Sequence, residues 1–258
     1  ATEAEKSYKA VGSSSTFALE YQLSSNRACR DDNREPRYYA TIGFNYCIWP
    51  GTSYRGTENL KNREVTYYED GNAKDASNNN YRNRTGYTCR KYIHQEDIGH
   101  WNSTKKSKVF PLARYAEVLL GYAEAMNEMD SESFTDEKGN IIQRNPDEMV
   151  KYFTIAEASD YETMKKLVKH EWQIEFAFEN RRYWDLRRWK DAYDAYNKPI
   201  RGLDVSAKMS QREQFYTIRV WNTEVYMKRM FSNKMYFWPI DRNVLQKNGK
   251  LVQNPGWN

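Results

Sequence analysis

KHEWQIEFAFENRRYWDLRRWKD, which runs from Lys169 to Asp191, decides the fold of this 258-residue protein. Large apolar residues alternate with charged ones here, and so many rings stay soluble when most of them face a core. Upstream, Ser159 and Glu162 match a capping box, which predicts that a helix begins at that point. We expect a break at Asn180, followed by a second short helix from Tyr183 to Lys190.

The charges of this stretch have a structural interpretation. Asp185 stands three or four residues from several arginines, and such pairs on a helix contribute about 0.2–0.5 kcal/mol each. The candidate partners are Arg181, Arg182, Arg187 and Arg188. The apolar face that precedes them consists of Met164, Leu167, Val168, Trp172 and Ile174. We therefore interpret the stretch as a structural anchor and not as a catalytic site.

The charge of the chain excludes few functions, whereas its content of aromatic residues is informative. A net charge of +5 comes from 40 basic and 35 acidic residues that are interspersed, so charge alone does not indicate nucleic-acid binding. Aromatic residues make up 15% of the chain, with 21 Tyr, 8 Trp and 10 Phe, while the mean hydropathy is −1.00. Rings with a polar edge are typical of carbohydrate-stacking surfaces and of protein interfaces, and composition does not separate the two.

Several common site types are excluded by spacing. Cys29, Cys47 and Cys89 are an odd number of distant cysteines, which disfavours a disulfide framework or a zinc site. His170-Glu171 lacks the second histidine of a zincin helix. No apolar run approaches the ~20 residues that span a membrane. The chain opens at Ala1 without a signal peptide, and we expect it to be a processed or truncated piece of a longer protein.

Periodicity divides the chain into three parts, 1–110, 111–191 and 192–258. The first is loop-rich with short strands, the second is helical and the third is an irregular closing part. Strands are predicted at 17–23, 38–49, 63–69 and 87–93, with charged or polar loops at 27–37 and 74–84. Helices are predicted from Pro111 to Met126, from 145 to 158 and from Ser159 onward. Strand-like segments follow at 215–221 and 224–230, and we expect the end, Gln253 to Trp257, to be docked.

Several local patterns together resemble one family. They are a helix motif at Phe110–Ala125, the segment Glu175–Trp189, the pair Tyr236–Ile240 and Gln253–Trp257, and the shorter Glu35–Thr41 and Gly86–Ile93. The chain is thereby similar to the carboxy-terminal half of the SusD/RagB-like outer-membrane lipoproteins of Bacteroidetes. Asn180 stands where that family usually has Gly, so we expect Asn180 to adopt a left-handed conformation.

The resemblance implies both a fold and a role. The fold is mainly α, with tetratricopeptide-like helix pairs packed against a loop-rich region with a few short strands. The role is that of a cell-surface binding lipoprotein in the outer membrane, which is not an enzyme. It captures oligosaccharides, or in some members peptides, and passes them to a SusC-like TonB-dependent β-barrel transporter. The family's lipid anchor lies on an amino-terminal part, which we expect to be missing here.

A glycan-binding site needs exposed rings and planar polar groups. Because the helical motifs are expected to commit their rings to the core, we place the candidate site on loops. The candidate ligand-binding residues are Asn45, Tyr46, Trp49, Tyr54, Arg55, Tyr21 and Trp101. For each ring the alternative is that it packs an irregular core.

Other functions are less well supported by the sequence. Asp70 to Asp75 offers oxygens to a structural Ca²⁺ but lacks EF-hand spacing, so we predict no cofactor and no specified metal site. A glycoside hydrolase needs two carboxyls at one bond, and Glu171 and Glu175 stand near arginines that favour ion pairing. A nucleic-acid site at Arg181 to Lys190 is interrupted by acidic residues.

Overall fold

The computed structural model describes most of the chain, in two compact units. One unit is formed by Ala1–Lys108 with Asp185–Asn258, and the other by Val109–Trp184. The described residues are 8–11, 23–49, 63–73, 83–94, 97, 105–128, 134–135, 141–142, 160–220 and 229–257. The predicted helix at 145–158, most of the predicted strand at 17–23 and most of the segment at 224–230 lie outside them.

Helices predominate in the described chain, as the sequence predicts. The helices are α1 (Pro36–Thr41), α2 (Tyr115–Glu128), α3 (Tyr161–Glu175), α4 (Arg182–Arg188), α5 (Ala192–Tyr196), α6 (Arg212–Phe215) and α7 (Arg242–Lys247). The strands are β1 (Ile42–Gly43), β2 (Cys47–Trp49), β3 (Arg63–Val65), β4 (Thr88–Cys89), β5 (Phe134–Thr135), β6 (Ile141–Ile142), β7 (Arg201–Leu203) and β8 (Ile218–Val220). Short 3₁₀ helices cover Cys29–Asp31, Met209–Gln211 and Asn233–Tyr236.

Helices α2 and α3 pack against each other as a tetratricopeptide-like pair. The buried residues of α3 are Met164, Val168 and Trp172, at the spacing i, i+4 and i+8 that the sequence predicts. Leu120 and Ala123 are buried on α2. Full burial of a side chain such as Met or Val stabilises the fold by about 1.5–3 kcal/mol, so this interface is a main source of stability in its unit.

The start of each helix differs from the prediction. Helix α3 is capped by Asp160, whose carboxylate accepts a hydrogen bond from the Thr163 N–H at 2.9 Å. The N-cap is therefore Asp160 and not the predicted Ser159, which lies outside the described residues. Helix α2 begins at Tyr115 and not at Pro111. The residue before it, Arg114, accepts from the Glu117 N–H at 2.9 Å through its carbonyl, and its side chain is held by carboxylates beyond the helix, as described below.

The break between α3 and α4 is confirmed at Asn180. Its φ is 60°, the left-handed region that Asn tolerates. Phe178 also has a positive φ, 63°, which the sequence does not predict. The chain thereby turns within a few residues before α4 begins at Arg182.

The predicted strand at 38–49 is wrong in its first part. Pro36 occupies the first turn of α1, where its fixed φ suits a helix. The Tyr39 hydroxyl accepts from the Arg34 N–H at 2.9 Å and donates to the Asp31 carbonyl at 3.0 Å. These bonds stabilise a helix where aromatic composition favours a strand.

The strands are shorter than predicted and pair two by two. Strand β1 pairs with β4, β2 with β3, β5 with β6 and β7 with β8, all antiparallel. Cys47 stands opposite Val65, and Ile42 opposite Cys89. The ladders end after two or three pairs, so other groups must satisfy the remaining backbone.

Side-chain amides supply many of those partners. Asn197 accepts from the Phe231 N–H and donates to the Phe231 carbonyl, both at 2.9 Å. Gln253 does the same to Ile240, at 2.8 and 2.9 Å. A side-chain amide that bonds both the N–H and the carbonyl of one residue replaces the hydrogen bonds of a neighbouring strand. Such bonds hold the irregular segments in place.

Candidate functional site

The predicted loop cluster is described in part. Tyr21, Tyr54, Arg55 and Trp101 lie outside the described residues. The other three candidates, Asn45, Tyr46 and Trp49, fall on the turn before β2 and on β2 itself.

Asn45 is a core residue. Its side chain is 0% exposed; Oδ1 accepts from the Tyr67 N–H at 2.9 Å, and Nδ2 donates to the Tyr216 hydroxyl at 3.1 Å. The expected exposure is therefore wrong, because these bonds tie the turn to two distant segments. The sequence offers no signal that separates such an amide from one that contacts a sugar.

Tyr46 is also a core residue. It is 9% exposed and adopts a φ of 66°, while its N–H donates to the Val65 carbonyl at 2.7 Å. Its ring meets Tyr68 edge-to-face at 5.9 Å, and the Arg212 guanidinium lies 5.0 Å from the ring centre. A buried ring fixed in this way positions the start of β2.

Trp49 retains exposed surface, unlike these two neighbours. It is partly buried and packs against a cluster of Leu23, Tyr39, Phe44 and Cys47. Its ring passes over Gly43, where an added Cβ would lie 2.6 Å from the ring. Trp49 is therefore fixed in orientation and remains our candidate for contact with a ligand.

A buried carboxyl lies beside the Trp49 cluster. Tyr38 and Tyr87, which pack against that cluster, donate their hydroxyls to Oδ1 of Asp31 at 2.7 and 3.5 Å. Burial raises the pKa of Asp31 to about 6, although the Tyr38 hydrogen bond and the charges of Arg30 and Arg34 act to lower it. Oδ2 has no hydrogen-bond partner among the described residues. The ionised form of Asp31 is thus costly in this site.

The same burial acts on the neighbouring tyrosines. Burial raises the pKa values of Tyr38, Tyr87 and Tyr216 above the ordinary value for tyrosine. The negative charge of Asp31 raises them further. Their hydroxyls therefore remain neutral. Those of Tyr38 and Tyr87 donate to Asp31, whereas that of Tyr216 accepts from Asn45.

The predicted charged loop at 27–37 is interrupted by the 3₁₀ helix Cys29–Asp31 and by the start of α1 at Pro36. Two of its charged residues, Arg27 and Asp31, are buried, with exposed fractions of 0% and 1%.

Two carboxylates of the segment Glu175–Trp189 are held by one arginine. Arg114 donates from Nε and Nη2 to the two oxygens of Glu179, both at 2.9 Å, and from Nη1 to Glu175 at 2.6 Å. Its guanidinium also lies 4.6 Å from the Phe176 ring, while Arg181 pairs with Glu117. This network joins the two motifs. It differs from the predicted helix-surface pairs in that Arg181 pairs with Glu117 and not with Asp185, whereas the predicted pair of Arg188 with Asp185 is confirmed.

The rings of the helical motifs are buried in part. Trp172 and Phe176 are 6% and 3% exposed, as expected. Phe178 and Trp184 are 49% and 52% exposed, so the expectation that the helical motifs bury their rings is wrong for these two. Phe178 lies in the turn after α3 with a φ of 63°, and Trp184 precedes the buried residues Asp185 and Leu186 on α4.

The closing part presents two further exposed rings, Phe237 and Trp238. The carbonyls of this segment are bonded by Arg187, Trp257 and Asn254. The docked chain end that the sequence predicts is thereby confirmed. Phe237 and Trp238 are not among the predicted site residues. The residue before a proline favours an extended backbone, so the pair Trp238-Pro239 indicates an extended segment here.

Two absences concern the described part of the chain. Within it, no helix has the length and apolar character needed to cross a membrane. The same residues contain no group of three or more His, Cys, Asp or Glu side chains that could hold a metal ion.

Comparison with known proteins identifies the family. The model of the SusD family matches residues 15–257. A SusD-like protein from Bacteroides fragilis NCTC 9343 is 23% identical with a TM-score of 0.63, over 88% of this chain and 39% of that chain. A SusD-like carbohydrate binding protein from the same strain is 25% identical with a TM-score of 0.55, over 86% of this chain and 42% of that chain. No curated protein sequence matches. The chain spans about two fifths of the length of these two structures and, since the family match covers nearly all of it, belongs to the SusD family.

Proposed function

We propose that this protein binds oligosaccharides at the cell surface. The observation that carries the proposal is the family match over residues 15–257, together with a similar solved structure that is described as a SusD-like carbohydrate binding protein. The partly exposed ring of Trp49 and the exposed rings of Phe237 and Trp238 supply the flat apolar surfaces that a sugar ring needs.

The cellular context is part of the same proposal. The protein is held at the outer membrane of a Bacteroidetes-type bacterium by a lipid anchor outside these residues. It delivers its ligand to a SusC-like TonB-dependent β-barrel transporter. The similarity to structures from Bacteroides fragilis supports this placement.

The contacts of the acidic residues favour binding over catalysis. A glycosidase acid needs a carboxyl with a raised pKa that reaches the scissile bond. The oxygens of Glu175 and Glu179 instead accept hydrogen bonds from Arg114 and are engaged within the fold. These carboxylates are therefore poor candidates for a catalytic pair.

The arginines of the same region are poor candidates for nucleic-acid binding. Arg188 pairs with Asp185 at 2.9 Å, as the sequence predicts. Arg187 donates to the Tyr236 carbonyl, and Arg181 pairs with Glu117. Guanidinium groups that are engaged within the fold have fewer donors left for phosphates.

Titration calorimetry tests the proposal. The 258-residue protein is titrated with maltohexaose, cellohexaose, xylohexaose and mannohexaose, and separately with a mixture of neutral hexapeptides. Heat from at least one hexasaccharide and none from the peptides is the expected result. Heat from the peptides alone would reassign the same role to peptide ligands.

A transporter pull-down completes the test. Membranes of a Bacteroides strain, solubilised in mild detergent, are passed over the immobilised protein. We expect a TonB-dependent β-barrel to be retained. Loss of both signals, with no binding of sugar or peptide and no retained barrel, would refute the proposed function.

A further inference from the structure

Phe237 and Trp238 form an exposed pair of rings on the closing segment. They are 61% and 62% exposed, although large aromatic side chains are normally well buried. The backbone at Phe237 is extended, with φ −118° and ψ 143°. Successive side chains of an extended segment point to opposite sides, so we expect the two rings to face different directions.

The segment that carries these rings is held on both sides. The Tyr236 carbonyl accepts from Arg187, the Phe237 carbonyl accepts from Trp257 Nε1 at 3.0 Å, and the Trp238 carbonyl accepts from Asn254 Nδ2 at 2.6 Å. Two residues on, Gln253 bonds both backbone groups of Ile240.

This restraint has a consequence for binding. A ring on a restrained backbone loses little conformational entropy when a ligand stacks on it, which is the usual advantage of a preorganised site. The exposed rings are thus presented in place and are not carried on a free loop.

Trp238 combines its exposed ring with a neighbouring cation. The guanidinium of Arg187 lies 5.5 Å from the centre of the Trp238 ring. A guanidinium beside an indole anchors the ring in one orientation. With 62% of the residue still exposed, the ring keeps open surface for a ligand.

Exposed tryptophan and arginine side chains serve both sugar binding and protein interfaces, so the proposed function decides which occupant we assign. The Arg187 guanidinium lies beside the Trp238 indole, and the Asn254 amide donates to the Trp238 carbonyl. A pyranose has the matching pattern, since one face carries C–H groups and the rim carries hydroxyls.

We propose that Trp238, oriented by Arg187, is a sugar-stacking platform that contacts an oligosaccharide chain. The inference rests on the proposed function and deepens it, because it names a contact residue outside the loop that carries Trp49. The platform binds a pyranose unit of a neutral oligosaccharide through the exposed indole face, and the Asn254 amide holds the backbone that carries this ring.

Affinity electrophoresis tests this platform. The protein runs through native gels that contain amylopectin, xylan, galactomannan or mixed-linkage β-glucan, and retardation gives the affinity for each. Trp238→Ala is compared with Trp184→Ala, a matched control that removes a tryptophan of similar exposure, 52%, from the other unit. Trp238→Leu keeps apolar bulk but lacks a flat ring, and it serves as the second variant should Trp238→Ala fail to fold.

The expected result is selective loss at one position. Trp238→Ala and Trp238→Leu weaken retardation at least about fivefold, the loss expected when one ring-stacking contact is removed. The retardation of Trp184→Ala and the circular dichroism of all variants remain as in the unsubstituted protein. Equal loss in Trp184→Ala would overturn the platform.

The outcomes separate the inference from the proposed function. Unchanged retardation of Trp238→Ala, with loss in Trp49→Ala, overturns the platform while the protein remains a glycan binder. No retardation of the unsubstituted protein in any gel, together with no heat from the hexasaccharides in calorimetry, overturns both.

Discussion

Replacement of Asp31 by Asn should remove a loss of stability that the protein undergoes between pH 4 and pH 7. Burial raises the folded-state pKa of Asp31 from 3.8 to about 6. The folded state therefore binds the proton more tightly than the unfolded state does. The associated stability is fully present below the unfolded pKa of 3.8 and is lost as the pH rises to about 6.

The size of the effect follows from the two pKa values. A difference of about two units, at about 1.4 kcal/mol per unit, corresponds to a loss of roughly 3 kcal/mol when Asp31 ionises. The amide introduced by Asp31→Asn carries no charge, so the variant escapes that loss at neutral pH. Any fixed cost of the buried amide would shift the variant equally at every pH and would not alter the slope.

Urea unfolding from pH 4 to pH 8 measures this difference. The free energy of unfolding of Asp31→Asn minus that of the unsubstituted protein should rise by up to about 3 kcal/mol between pH 4 and pH 7. Subtraction removes the contributions of the other carboxylates, which titrate in both proteins.

The adjacent carboxylate provides the matched control. Asp32 accepts from Nε and Nη2 of Arg27, a side chain that is 0% exposed. Asp32→Asn should therefore destabilise the protein at pH 7, by about 3–5 kcal/mol, because it leaves a buried guanidinium without its counter-charge. A difference for Asp31→Asn that stays flat from pH 4 to pH 8 would refute the reasoning.

Three further predictions concern stability and local order. Arg114→Met should lower the free energy of unfolding by about 3 kcal/mol, because Glu179, with a side chain 6% exposed, loses its bidentate partner. Urea unfolding measures this change. A loss under about 0.5 kcal/mol, the size of a surface substitution, would contradict a stabilising role of the Arg114–Glu179 pair. Gly43→Ala should cost about 1–3 kcal/mol, because the new methyl group overlaps the Trp49 ring; a changed tryptophan emission spectrum is the readout, and an unaltered spectrum with unaltered stability would argue against that packing. Gln253→Ala removes both side-chain hydrogen bonds to the backbone of Ile240 and should lower the free energy of unfolding by about 1–3 kcal/mol. Amide hydrogen exchange should accelerate in the closing part alone. Equal acceleration along the whole chain would show that these hydrogen bonds do not act locally.

The helical part is the most predictable from sequence. Met164, Val168 and Trp172 recur at the spacing of a helix face, and this local pattern is enough to place them in the core. Asn180 is confirmed as the break, since few other side chains tolerate a left-handed conformation. The family resemblance, carried by ordered motifs along the chain, is likewise a property of sequence alone.

The candidate site is less predictable, because the same residue types serve core and ligand. Asn45 and Tyr46 have the composition of a sugar-binding loop, yet the first bonds Tyr67 and Tyr216 and the second packs on Tyr68. Those partners stand more than twenty residues away in sequence. Local patterns carry no information about them.

The sequence by itself determined the family, the helix pair and the structural character of its charges. Tertiary structure alone decided which rings face water: it buried Tyr46, left Trp49 in part exposed and set Trp238 on a restrained surface segment. It also decided that Asp31, within a run of charged residues, would be buried beneath tyrosines. The physical reason is that periodicity fixes which side of a helix is apolar, whereas in irregular chain burial depends on which distant segments fold over each side chain.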